Sequence, residues 1–141
     1  MSILALDVGE RRIGAAVSDP SESYALPVRT LERAGGVRED LSAIVELARE
    51  YGATTIVVGD PLRLSGERGP AARKMDEFAA SLAKAFDGTV ERVDERLTTA
   101  QANRTLLAAD VSRKRRKGVV DQLAAALILE TYLARRRRAG T

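Results

Sequence analysis

The chain contains no cysteine, no histidine and no tryptophan. Without cysteine, neither a disulfide nor a thiolate-bound metal can form. With histidine missing as well, Ser-His and Cys-His nucleophile pairs are excluded, and so is imidazole ligation of zinc. Catalysis would have to use carboxylates, hydroxyls, lysine and arginine, together with ions that such groups hold. Hard oxygen ligands favour Mg²⁺ or Mn²⁺. Aromatic residues are only 4% of the chain, and Phe78 and Phe86 fall on a helical core face, so little is left to stack on unpaired bases. No stretch approaches the roughly 20 consecutive apolar residues of a membrane span. The opening Ser2-Ile3-Leu4-Ala5-Leu6-Asp7 is apolar but short, has no basic lead-in and meets a carboxylate at once. It reads as a strand and not as a signal peptide, so no membrane partner and a cytoplasmic location are expected.

What is present suits one compact domain over residues 1–141, since 45% of the residues are apolar and 30% charged. The net charge is only +3, but the positive residues are clustered. Arg113-Lys114-Arg115-Arg116-Lys117 is one block, Arg135-Arg136-Arg137-Arg138 a second, and Arg11-Arg12 a smaller third. Such blocks point to a polyanionic partner. For the run at 135–138 a solvated surface is an equally good account.

Two strand-like segments, Ile3 to Asp7 and Ile13 to Ser18, are joined through Val8-Gly9-Glu10-Arg11-Arg12 and predict a hairpin. A third strand is expected over Tyr24 to Thr30, where Pro27 removes a ladder donor and indicates an edge or a bulge. Leu41, Ile44, Val45, Ala48 and Tyr51 mark one face of a helix over Val37 to Tyr51. Thr54 to Gly59 is a β-branched run suited to a strand buried on both faces. Met75, Phe78, Ala79, Leu82 and Phe86 predict a second helix, and Thr89 to Asp94 a last strand. Thr98 and Gln101 match a capping box that would open a short helix running to about Ala109. A long helix is expected after the basic block, from Val119 to about Arg135, with Leu123, Leu127 and Ile128 near its buried side. This order predicts an α/β fold with a mixed five-stranded sheet and helices on both faces.

Several carboxylates fall where such sheets gather ligands, beyond the carboxyl ends of the strands. Asp7 ends the first strand, Asp60 the central one, and Asp94 and Glu95 the last, while Asp121 is placed in the first turn of the long helix, where it would suit the helix dipole. Carboxylates packed together disfavour one another's ionisation, and a divalent cation reverses that penalty. Two such ions can activate water and clamp a phosphodiester without any histidine. Most of these acids have ordinary explanations as strand-end, turn or helix-start residues. Asp7 does not, because it closes an otherwise apolar inner strand.

The residues Asp7-Val8-Gly9-Glu10-Arg11-Arg12-Ile13-Gly14-Ala15-Ala16-Val17-Ser18-Asp19 resemble the opening signature of the YqgF (RuvX) family, the Holliday junction resolvase-like proteins. Val57-Val58-Gly59-Asp60-Pro61-Leu62, Asp94-Glu95-Arg96-Leu97-Thr98-Thr99-Ala100 and the 113–117 block followed by Asp121-Gln122-Leu123-Ala124-Ala125 resemble its other motifs, in order and across essentially the whole chain. The resemblance implies a ribonuclease H-like fold and a bacterial nuclease that depends on Mg²⁺ or Mn²⁺. Family members are associated with 5′-end maturation of precursor 16S ribosomal RNA and with Holliday junction resolution. Carried over by motif, Asp7, Glu95 and Asp121 are the implied catalytic metal ligands, with Asp94 a further candidate. The basic residues Arg11, Arg12, Arg113, Lys114, Arg115, Arg116 and Lys117 would hold nucleic acid. The chain departs from the pattern at Asp60, where the family usually has leucine. That carboxylate either joins the metal site or points to solvent. Arg63 and Leu64 also depart, which puts substrate contacts of that loop in question.

Two other classes fit part of the pattern. A fragment of an actin-like ATPase would use the glycine-containing hairpin for nucleotide phosphates, but such enzymes place ATP between two related domains. A non-catalytic nucleic-acid-binding module would bind in a salt-sensitive way indifferent to Asp7→Asn. Paired cuts in a DNA junction need a dimer, and no apolar seam in the sequence calls for one. A monomer or weak homodimer acting on precursor RNA is the preferred expectation, with branched DNA as the alternative substrate.

Overall fold

A computed structural model of the chain describes residues 2–61, 65–94 and 113–140, with only the backbone given for 113–119 and 140. The strands are β1 (Ser2–Val8), β2 (Arg12–Ser18), β3 (Ala25–Glu32), β4 (Ala53–Asp60) and β5 (Thr89–Asp94). The helices are α1 (Val37–Glu50), α2 (Pro70–Ala85) and α3 (Arg113–Gly140). They build one five-stranded sheet in the order β3-β2-β1-β4-β5. The β1–β2 and β2–β3 pairs are antiparallel, and β1–β4 and β4–β5 are parallel. The mixed sheet is as expected.

Side-chain alternation divides the core into two layers. Leu4, Leu6, Ile13, Ala15, Val17, Ile56 and Val58 pack on one side against Ile44 and Leu47 of α1 and Met75, Phe78 and Leu82 of α2. Ile3, Ala5, Ala16, Val57 and Val93 pack on the other side against Ala125, Ile128, Leu129 and Tyr132 of α3. Each fully buried Leu or Ile contributes about 1.5–3 kcal/mol. Strands β1 and β4 are therefore apolar on both faces, which explains their unbroken hydrophobic runs.

Strand β3 is an edge. Its register with β2 shifts between Ala15 and Ala16, which face Arg29 and Pro27. Val28 is the extra residue, so the proline sits at the bulge its missing N–H predicts.

Three expectations need correction. Tyr51 follows the last turn of α1 and is exposed, and Leu47 and Asp40 take the buried positions of that helix. Helix α3 begins no later than Arg113, so the basic block is its opening and Asp121 lies in its third turn, away from the favourable end of the dipole. Its buried face is Ala124, Ala125, Ile128 and Leu129, while Leu123 and Leu127 are only half-buried. The expected helix over 98–109 lies outside the described residues.

Candidate active site

Asp7 continues the Ile3–Ala5 side of β1 and faces the α3 layer, where it is 7% exposed. Its cross-strand partner is Gly14 of β2. The backbone of α3 descends on that glycine: a Cβ added there would lie 2.0 Å from the Asp121 carbonyl oxygen and 2.8 Å from the Asp121 Cβ. Small residues on both sides allow the approach, with Ala5 and Ala16 on the sheet and Ala124 and Ala125 on the helix. Directly opposed Cβ positions in an antiparallel pair are about 5 Å apart. Adding the Gly14–Asp121 step puts the Asp7 and Asp121 Cβ atoms within about 8 Å of each other, close enough for two carboxylates to share a cation.

Arg12 completes this side of the site. Its Nε donates to Asp121 Oδ2 at 3.0 Å, joining the hairpin to α3. Arg12, one of the basic residues expected to hold nucleic acid, is half-buried against this carboxylate. Arg11 beside it is exposed on the turn, as a phosphate contact requires. Gln122 Nε2 donates to Thr30 Oγ1 at 3.1 Å, which ties the same turn of α3 to β3.

Two of the other expected acids, Asp60 and Asp94, lie on the opposite face of the sheet. Asp60 and Asp94 are register partners at the ends of β4 and β5. Asp60 faces α2, and Arg68 donates to both of its oxygens at 2.9 and 3.1 Å. It is neither solvent-facing nor beside Asp7, but 7% exposed in an ion-pair network. Arg68 also pairs with Asp76 of α2, and Arg92 lies 2.7 Å from the same Asp76 carboxylate. These two guanidiniums, Arg68 foremost, hold Asp76 below the usual carboxylate range. Asp94 is half-buried on the Asp60 side, since its neighbour Val93 belongs to the α3 layer. Glu95 and the loop residues Arg63 and Leu64 lie outside the described residues, as do the side chains of Arg113, Lys114, Arg115, Arg116 and Lys117. The backbone of that block lies four to eight residues before Asp121, roughly 6–12 Å along the helix axis.

The donor set suits a hard divalent cation, but among the described residues no group of three or more acids is gathered. The contact at Gly14 brings two carboxylates, Asp7 and Asp121, to one side of the sheet. A groove of about 780 Å³ opens on the opposite face, between the β1–β2 turn and α2, over Val8, Val37, Met75 and Phe78. Neither Asp7 nor Asp121 lines it. Two residues that the sequence did not single out shape the centre. Gly14 admits α3, and a glycine inside an apolar strand was the available signal. Arg33 pairs with buried Asp40 at 2.9 Å, donates to the Gly9 carbonyl and lies over the Phe78 ring, so it holds the β1–β2 turn in place.

The Arg68 network gives a stability prediction. Arg68→Ala leaves the buried Asp60 without its two donors and should cost about 1–3 kcal/mol. Arg68 is partly exposed, which keeps the figure below that of a fully buried pair. Because the folded chain lowers the pKa of Asp76, that carboxylate's own share of the network is present above the ordinary value of 3.8 and lost as pH falls through its lowered value. Asp19 behaves alike: the Ser21 hydroxyl and the Tyr24 and Ser23 amides lower its pKa to about 2. Urea unfolding at pH 7 and pH 3 should show the gap between wild type and Arg68→Ala narrowing in acid. A gap that does not change with pH would count against the network.

No described helix is long and apolar enough to cross a membrane. Solved structures share the fold. *Thermus thermophilus* RuvC, solved in complex with a Holliday junction substrate, superposes with a TM-score of 0.58 at 16% identity over 96% of each chain. That likeness places the sheet and its helices in the ribonuclease H-like fold. Among sequences, a *Clostridium perfringens* (strain SM101) protein named as a candidate pre-16S rRNA nuclease is 44% identical over 135 residues, covering 96% of this chain and 98% of its own. A *Syntrophomonas wolfei* protein of the same name is 46% identical over 133 residues, 94% of each chain. The family model described as RuvX, Holliday junction resolvase, matches residues 1–135, and the chain belongs to that family.

Proposed function

We propose that this chain is a cytoplasmic, metal-dependent nuclease that hydrolyses phosphodiester bonds during 5′-end maturation of precursor 16S ribosomal RNA. The observation that carries the reading is the meeting of Asp7 and Asp121 over Gly14, two acids from distant parts of the sequence on one face of the sheet. The relatives' names and the family description supply the substrate class. Asp7 and Asp121 would hold Mg²⁺ or Mn²⁺ together with Glu95, the latter carried over from the Asp94-Glu95-Arg96 motif. Such an ion, when bound, lowers the pKa of water and neutralises charge on the phosphoryl oxygens.

The remaining work belongs to the chain's own groups. Arg12 fixes the rotamer of Asp121 through Oδ2 and brings a positive charge to the edge where a phosphate would lie. Arg11 and the 113–117 block bind flanking phosphates and set the register of the strand.

Incubating the protein with precursor 16S RNA fragments, single-stranded RNA and four-way DNA junctions, in Mg²⁺, Mn²⁺ or EDTA, tests this reading. Cutting of the precursor RNA that stops in EDTA is expected. Cleavage that persists in EDTA would refute the metal mechanism, and paired cuts confined to the junction would replace the RNA substrate with branched DNA and require a dimer. Arg12→Ala should lower cleavage about 10–100-fold, the range for partners that orient a metal ligand. An Arg12→Ala variant with unchanged rates would show that the Asp121 contact is only a tether.

A further inference from the structure

Helix α3 carries positive charge at both ends, and the nuclease reading uses only the first. The second block, Arg135 to Arg138, lies beyond Glu130, after which the helix has no carboxylate. All four arginines are exposed. They are not an unstructured fringe. The Arg135 and Arg136 guanidiniums lie 5.6 and 5.7 Å from the centre of the ring of Tyr132, a residue that is 4% exposed. The Tyr132 hydroxyl donates to Glu91 of β5, which fixes the ring. Arg135 also donates to the Arg92 carbonyl at 3.5 Å, and Arg136 lies 3.5 Å from the Glu22 carboxylate. The arrangement lowers the entropy cost of presenting these side chains, and a guanidinium fork can grip a phosphate with two donors.

Cations in a last helical turn suit the dipole, and that alone accounts for Arg137 and Arg138. It does not account for four adjacent like charges, which repel one another, or for the two that are fixed against Tyr132.

We infer that Arg135–Arg138 is a second phosphate-binding site, which holds the nucleic-acid strand leading away from the cleavage site. This rests on the nuclease reading. Asp121 and Arg136 are fifteen residues apart on one helix, about 22 Å of rise. A stacked strand advances about 3.4 Å per phosphate, so the second site engages roughly six or seven nucleotides from the first. Helix α3 acts as a ruler: short substrates reach only the catalytic end, and longer ones bridge both.

The test compares wild type with Arg135→Gln/Arg136→Gln, the two guanidiniums held over Tyr132, which keeps good helix formers at exposed positions. Binding of labelled single-stranded RNA of about 4 and about 20 nucleotides is measured by anisotropy in EDTA, so that nothing is cut, at several salt concentrations. The long RNA should bind about 10-fold more weakly to the variant, with a salt slope smaller by about 1–1.5, as expected for two lost phosphate contacts. The short RNA should bind both proteins alike, and its cleavage rate in Mn²⁺ should not change. Equal affinity for the long RNA, or equal weakening for both lengths, overturns the proposal. The two readings fail separately. A chain that cuts RNA without any length effect loses the second site alone, whereas a length effect in a chain that never cuts keeps the site and removes the nuclease.

Discussion

Asp7→Asn should reduce cleavage by more than about 100-fold and abolish the rise in melting temperature that Mn²⁺ gives the wild-type chain. The substitution preserves shape at a nearly buried position and removes only the charge. Mutating residues that merely orient a metal ligand costs about 10–100-fold, so the loss of a ligand itself starts where that range ends. The thermal measurement needs no turnover. An ion that binds the folded chain alone adds about 2.7 kcal/mol at a hundred times its dissociation constant. For a chain of this size that is a shift on the order of 10 °C. The asparagine variant should show neither effect and should melt close to wild type in EDTA. A variant that cleaves within about 10-fold of wild type, or gains the same shift from Mn²⁺, would remove Asp7 from the centre.

The case for Asp7 was legible in the sequence because burial and charge conflict there within a single strand. The elements were legible for a related reason. The apolar runs of β1 and β4 are short and bounded by Asp7 and by Gly59-Asp60-Pro61, which suits strands better than helices, and the 3.6-residue spacing in α2 marks an amphipathic helix. Helix α3 was less legible at both ends. Its opening, Arg113-Lys114-Arg115-Arg116-Lys117-Gly118, has no apolar stripe to betray a helix, and the buried face after Asp121 starts with the alanines 124–126 before Ile128 and Leu129. Counting large residues points to Leu123 and Leu127, but the sheet beneath is Ala5, Gly14 and Ala16, and a surface that smooth selects the side of the helix that can come closest. Asp60 was undecidable for another reason. Strand position gives the face only once the neighbours are known, and the partner that fixes this carboxylate is Arg68, in the loop before α2. Long-range pairs such as Arg12 with Asp121 leave no local trace at all.

Gly14→Ala carries the second large expectation, because it acts on the contact that joins the two acids. In an ordinary strand this change is favourable: alanine restricts the unfolded chain and packs better, a gain of about 0.4–1 kcal/mol. At Gly14 the new methyl would stand 2.0 Å from the Asp121 carbonyl oxygen and 2.2 Å from its carbon. Those atoms are backbone, so no side-chain rotation relieves the clash, and α3 must lift from the sheet by an ångström or more. Overpacking of this kind typically costs about 1–3 kcal/mol, occasionally more, which outweighs the entropic gain and sets the sign. Catalysis should suffer further, since a misplacement of about 1 Å can cost about 100-fold even when the protein stays folded. Urea unfolding should therefore show a loss of about 1–3 kcal/mol, and the folded fraction should cleave about 100-fold more slowly. Lifting the helix also strains the Arg12–Asp121 bond, so adding Arg12→Ala to Gly14→Ala should cost less than it does alone. If Gly14→Ala is as stable and as active as wild type, α3 does not rest on the hairpin at this glycine, and Asp7 and Asp121 lose the contact that brings them together.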